Sequence, residues 1–141
     1  MAAGVITAFA HLSPRTAAYL VEPQDYAKMA RSLASGKPES NSGVPAALLD
    51  AISGPLTGAR PLETLLQYRP ACLTVSDQDA LTAMSAAFET LKLVVEPGGA
   101  AALGAVMANK KEFKGKTVAV VCSGGNVDPD VFAKAILYKG H

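Results

Sequence analysis

The sequence has 141 residues, with 13 basic and 12 acidic side chains, a formal net charge of +1 and half of its residues apolar. That length fits one domain with a sizeable core, and the composition lies well outside the disordered class. No basic stripe suggests a nucleic-acid partner, and the apolar stretches Ala2–Phe9 and Pro97–Ala108 are too short to span a membrane.

In chain order, Ala2–Leu12 is apolar and helix-permissive, and Ser13-Pro14 ends it because a residue before proline is pushed out of the helical region. No positive region precedes that apolar run, so a secretory signal is not expected. Thr16–Val21 reads as a short buried strand closed by Glu22-Pro23. Gln24–Ser35 carries Tyr26, Met29, Ala30 and Leu33 at helical spacing, with Gly36 placed as a C-cap. Lys37–Gly43 is polar and turn-rich, hence an exposed loop. Pro45–Gly58 reads as a short helix followed by loop. Pro61–Tyr68 reads as a helix with proline in its first position and Leu62, Leu65 and Leu66 on one face.

Ala71–Val75 reads as a strand. Ser76 and Asp79 then match a capping box, although aspartate is shorter than the usual glutamate. The helix behind them extends to about Lys92, with Leu81, Met84, Phe88 and Leu91 in phase. Leu93–Val95 is a brief extended piece, and Pro97 opens a small-residue helix to roughly Glu112. After a turn at Lys114–Lys116, Thr117–Cys122 is a continuous apolar strand. Ser123–Asn126 is a glycine-rich loop, and Asp128-Pro129 opens a last helix ending near Gly140. Isolated apolar strands alternating with helices predict an α/β fold, a parallel sheet with flanking helices, in one domain spanning 1–141 without internal repeats. Cys72 and Cys122 each lie in an apolar run, which predicts reduced, buried thiols in a cytoplasmic protein.

The chemistry-bearing residues are Ser123-Gly124-Gly125-Asn126, directly after an apolar strand. In open α/β sheets, ligands bind at the carboxyl ends of strands, and a Gly-Gly pair lets backbone approach a planar ligand closely. Taken alone, the four residues fit an ordinary strand-to-helix turn at least as naturally. Their surroundings are more specific. Leu91–Asp128 reads LKLVVEPGGAAALGAVMANKKEFKGKTVAVVCSGGNVD, and Tyr19–Lys37 reads YLVEPQDYAKMARSLASGK. With Val75-Ser76-Asp77, these segments resemble the threonine/serine dehydratase and serine racemase family of fold-type II pyridoxal-phosphate enzymes. That family has a Lys-Leu-x-x-Glu-Pro-x-Gly-Ala segment followed by a strand ending in Ser-Gly-Gly-Asn. The resemblance covers essentially the whole chain and places it in the C-terminal part of the family's large domain.

The resemblance implies a cofactor site made by Ser123, Gly124, Gly125, Asn126 and Glu96. Ser123 would partner the pyridine nitrogen. Some relatives use a cysteine there, but the register to the two glycines favours Ser123 over Cys122. Glu96 would lie near the pyridine end, and it also fits a plain acidic residue at a helix N-terminus. The implied reaction is removal of water and ammonia from a hydroxy-amino acid such as threonine or serine. The family's Schiff-base lysine, in a Ser-x-Lys-x-Arg-Gly-like context, matches none of the nine lysines here. Its phosphate-cradling glycine run would fall immediately before Met1, with Ala3-Gly4-Val5 matching the helix that follows. A fragment inactive alone, with no catalytic residue of its own and without bound pyridoxal phosphate, is therefore expected. It would be a homo-oligomer or a subunit completed by another chain. A non-catalytic binding module is the rival reading.

No metal is expected. In the serine racemase branch a divalent cation is held by the glutamate of the first Glu-Pro, a carbonyl four residues on and an acidic side chain six residues on. Here those positions are Glu22, Tyr26 and Lys28, and lysine has no acceptor to offer. Its ammonium could take the cation's place beside Glu22, or it could simply be solvated. Gly115-Lys116-Thr117 is not a phosphate loop, since Lys110 holds the required glycine position. Asp77 with Asp79 reads as capping, and His11 and His141 are isolated.

Overall fold

The computed structural model describes residues 1–43 and 48–138. Its centre is a parallel pair of strands, β1 (Tyr19–Pro23) and β2 (Ala71–Val75), in register from Tyr19 opposite Ala71 to Pro23 opposite Val75. Successive strand side chains point to opposite faces, and the two faces are covered by different helices. Leu20 and Cys72 face a cluster with Ile6, Met29, Leu33 and Leu65. Those residues come from α1 (Ala2–Leu12), α2 (Lys28–Ser35) and α3 (Ala59–Tyr68). Val21, Leu73 and Val75 face the other way, onto Ala80, Ala101 and Ala105 of α4 (Asp77–Ala86) and α5 (Pro97–Ala108). The result is the expected α/β arrangement, a parallel sheet between helical layers.

The α4–α5 contact is made close by small residues. A Cβ on Gly104 would stand 2.9 Å from the Asp79 carbonyl oxygen. Met84, fully buried, fills the space between Ala83, Ala87, Ala100 and Ala135. The last of these belongs to α7 (Pro129–Leu137), which packs on α4.

The helix ends follow their chemistry. The capping box of α4 is present with both bonds: the Ser76 hydroxyl accepts from the Asp79 N–H at 3.1 Å, and the Ser76 N–H donates to the Asp79 carboxylate at 3.0 Å. Aspartate is thus long enough here. Gly36 ends α2 in the left-handed region, φ 73°.

Several boundaries differ from expectation. β1 starts at Tyr19 rather than Thr16, because only Tyr19–Pro23 finds a partner in β2. α2 starts at Lys28 rather than Gln24, since the Gln24 N–H donates to the Val75 carbonyl at 3.0 Å and holds that residue to the sheet. α3 begins at Ala59, so Pro61 sits inside the first turn rather than opening it. In Pro45–Gly58 the helical piece is a single 3-10 turn, Asp50–Ile52, and positions 44–47 lie outside the described residues. The helix after Ser76 passes from α4 into a π-helical turn, Ala87–Leu91, and stops at Lys92, φ 59°. The helix from Pro97 breaks at Asn109, whose side chain donates to the Ala105 carbonyl at 2.8 Å; Lys110–Phe113 is a separate short helix, α6. Asp128 precedes α7 without a side-chain cap bond, and the last residues of the expected helix, 139–141, lie outside the described ones.

The largest correction concerns Thr117–Cys122. The segment forms no ladder, and the sheet among the described residues has only β1 and β2. A β-rich, apolar sequence becomes a strand only when a neighbour accepts its backbone hydrogen bonds.

Candidate functional site

The glycine-rich loop Ser123–Asn126 packs against the chain entering α5, residues 94–99. Glu96 is the N-cap residue of α5, with extended backbone and Pro97 in the first helical turn. Its N–H donates to the Gly124 carbonyl at 3.1 Å, tying the loop to the helix start. The Glu96 carboxylate lies directly where a Cβ on Gly124 would go, and Gly124 has φ 81°. A Cβ on Gly125 would stand 3.1 Å from the Val94 carbonyl oxygen. Gly124 is therefore favoured by its backbone angle, and Gly125 by a tight approach to backbone.

The structure thus brings all five residues singled out in the sequence into one region. Ser123 is half-buried, while Gly124, Gly125 and Asn126 are exposed. Glu96 is half-buried at the positive end of α5, a favourable place for a carboxylate. Glu96 and Asn126 also line a cleft of about 280 Å³ whose walls include Asp50, Ala51, Gly98 and Asp128. Asp50 and Gly98 were not singled out from the sequence, and Gly99 entered only as the glycine of the Glu-Pro-x-Gly-Ala segment, with no role assigned. The two glycines belong to the Pro-Gly-Gly that opens α5, a doublet readable as a second point of close approach.

At the other Glu-Pro, Glu22 is buried at the end of β1 and acts as a cap rather than as part of an open site. Its two oxygens accept from the Met29 and Ala30 N–H groups at 2.8 and 2.9 Å, satisfying the first turn of α2, whose own N-cap, Ala27, offers no side chain for the purpose. The Lys28 ammonium reaches Gly54 instead, 3.7 Å from where a Cβ would stand. The backbone of α2, not lysine, therefore supplies the close positive partner of Glu22. Among the described residues no group of three or more His, Cys, Asp or Glu could hold a metal ion.

Burial, and secondarily the nearby Glu22 carboxylate, pushes the Cys72 thiol above its ordinary pKa of 9.0. Both causes disfavour the thiolate, which is the reactive form. Alkylation of Cys72 by iodoacetamide at pH 8 is therefore expected to be slow in the folded chain. It should become as fast as a free thiol on unfolding in urea, read by peptide mass spectrometry. Equal rates in the two states would contradict the burial.

Residues 1–124 match the family model described as "Pyridoxal-phosphate dependent enzyme". The chain belongs to this family. Among curated proteins it is similar to L-threonine ammonia-lyase of Thermotoga maritima, 32% identical over 137 residues, covering 97% of this chain and 33% of that protein. It is similar to phenylserine dehydratase of Ralstonia pickettii, 34% identical over 133 residues, covering 94% of this chain and 40% of that protein. Among solved structures, the threonine deaminase of T.th. superposes with a TM-score of 0.83 at 35% identity, covering 89% of this chain and 45% of that one. The chain therefore spans a third to under a half of the length of these relatives. Among the described residues, no helix is long and apolar enough to cross a membrane.

Proposed function

We propose that this chain forms the pyridine-side wall of the cofactor site in a pyridoxal-phosphate-dependent lyase that removes water and ammonia from hydroxy-amino acids. The observation that carries the reading is the convergence of Glu96 with Ser123-Gly124-Gly125-Asn126 at the start of α5, in a chain whose matched region runs through Gly124. The residues suit the group. Two glycines let the loop lie directly against Glu96 and Val94 and present no side chain of their own, and a hydroxyl can donate to a neutral ring nitrogen.

When bound, pyridoxal phosphate supplies an electron sink for negative charge at the substrate's α carbon. The Ser123 hydroxyl is far too weak an acid to give its proton to a pyridine outright. It donates a hydrogen bond and keeps the proton, so electron withdrawal stays moderate. Moderate withdrawal fits an elimination, in which the charge at carbon has to persist only until hydroxide departs. Glu96, tied to Gly124 through its backbone N–H, holds the loop against the helix.

The catalytic lysine and the phosphate cradle have no counterpart among the nine lysines and twelve glycines of this sequence. In our reading, further polypeptide supplies both, and the chain works as one part of a larger catalytic unit. The amino-acid substrate meets that unit, and the free thiols Cys72 and Cys122 fit a cytoplasmic setting. The test is an assay of the purified chain with threonine and with serine in excess pyridoxal phosphate. We expect no 2-oxobutanoate or pyruvate, because the covalent route through a lysine is missing. Product formation by this chain alone would overturn the claim that further polypeptide must supply the lysine and the phosphate cradle.

A further inference from the structure

We propose that Gly99, outside the Ser-Gly-Gly-Asn motif, is a positioning residue for Ser123. Gly99 lies in the first turn of α5 and is buried. A Cβ at this position would fall on the Ser123 carbonyl oxygen, 2.7 Å from the carbonyl carbon and 2.9 Å from the Gly124 carbonyl oxygen. These are backbone atoms, which cannot swing aside as the end of a side chain can. The backbone of α5 at Gly99 is thus the surface on which the Ser123 peptide group rests.

The neighbouring contacts make this seat directional. Gly124 accepts from the Glu96 N–H at 3.1 Å and lies under the Glu96 carboxylate, and Gly125 comes up against the Val94 carbonyl. The loop is therefore held between residues 94 and 99 at three successive positions, each through a glycine on one side of the contact. Adding one methyl group at Gly99 must push the Ser123 peptide off α5. The hydroxyl of Ser123 then swings with it, because χ1 is counted from the backbone that has moved. The neighbouring Gly98 differs: its Cβ would meet the Ala51 side chain at 3.2 Å, away from Ser123.

The functional meaning of this seat rests on the reading of Ser123 as the partner of the cofactor's ring nitrogen, but the seat itself is testable without any cofactor. The experiment compares Gly99→Ala with Gly104→Ala in the full chain by NMR and amide hydrogen exchange. Gly104 is a second buried glycine of α5, packed on the Asp79 carbonyl and remote from the loop. Both variants should lower the melting temperature. Only Gly99→Ala should shift the Ser123 and Gly124 backbone carbon resonances. It should also speed exchange of the Glu96 amide by about tenfold, the scale set by losing one backbone hydrogen bond. Unchanged Ser123 signals in a folded Gly99→Ala chain would overturn the proposal, and so would equal displacement by Gly104→Ala. If Gly99→Ala does not fold, the unmutated chain decides: Gly99 α protons must show nuclear Overhauser contacts to the Ser123–Gly124 backbone, and their absence would also overturn it. The need for further polypeptide fails separately, by product formation from the chain alone, and such a result would leave the seat standing.

Discussion

Replacing Met84 with alanine is expected to destabilise the chain by about 2–5 kcal/mol, the range for deleting a large buried side chain. Total stability of a domain is only about 5–15 kcal/mol, so the loss is a large share of it. The site argues for the upper part of that range. Met84 has 0% exposure, and four of the six other buried residues in its cluster, Ala83, Ala87, Ala100 and Ala135, are too short to extend into the space it would leave. Nor can the helices easily move closer, because Gly104 already brings α5 onto the Asp79 carbonyl. Urea unfolding would show the midpoint falling with little change of slope. Leu137→Ala is the comparison: that side chain is 78% exposed, and its loss should cost less than about 0.5 kcal/mol. Equal effects at the two positions would mean that the core is not centred on Met84.

Most of the helical layer was legible because each helix carries its own signal. Leu62 with Leu65, and Leu81 with Met84, mark buried faces at helical spacing, and both pairs are buried. Ser76 with Asp79, and Gly36 after α2, mark ends through bonds that a sequence pattern encodes locally. Strands carry half of such a signal. Ala71–Val75 and Thr117–Cys122 look alike as apolar runs, yet only the first has a parallel neighbour. Pairing is a property of two segments, so one segment cannot announce it. The shift of β1 to Tyr19–Pro23 has the same origin.

The site divides along the same line. Ser123–Asn126 and Glu96 stand out through a specific string of residues, and the structure brings them together. Gly99 appears in the sequence only as the glycine of the Glu-Pro-x-Gly-Ala segment, and its need for a bare α carbon arises from a backbone distant in the numbering, at Ser123. Glu22 was read as a marker of the Glu-Pro motif. Its role as the cap of α2 depends on how β1 turns into that helix, which brings its carboxylate onto the N–H groups of Met29 and Ala30.

At high protein concentration the chain is expected to self-associate, and Val121→Lys is expected to suppress it. Thr117–Cys122 contains no charge and no proline, and it has no ladder partner among the described residues. Val118 and Val121 are 38% and 53% exposed, and Leu93 and Val94 add 46% and 50% exposed apolar surface. An unpaired, β-prone backbone beside exposed apolar side chains is a template for another chain, since pairing satisfies its N–H and C=O groups and removes the apolar surface from water. A net charge of only +1 provides little repulsion against that approach. One lysine in the segment places a charge that an apolar strand-to-strand contact cannot bury without a partner, as natural edge strands do. Val121 is exposed, so the substitution should leave the melting temperature of the monomer nearly unchanged. Light scattering across a concentration series reads the result. The unmutated chain should gain mass with concentration, and the lysine variant should stay near 14.5 kDa. A strictly monomeric unmutated chain would contradict this expectation, as would association that the lysine leaves untouched.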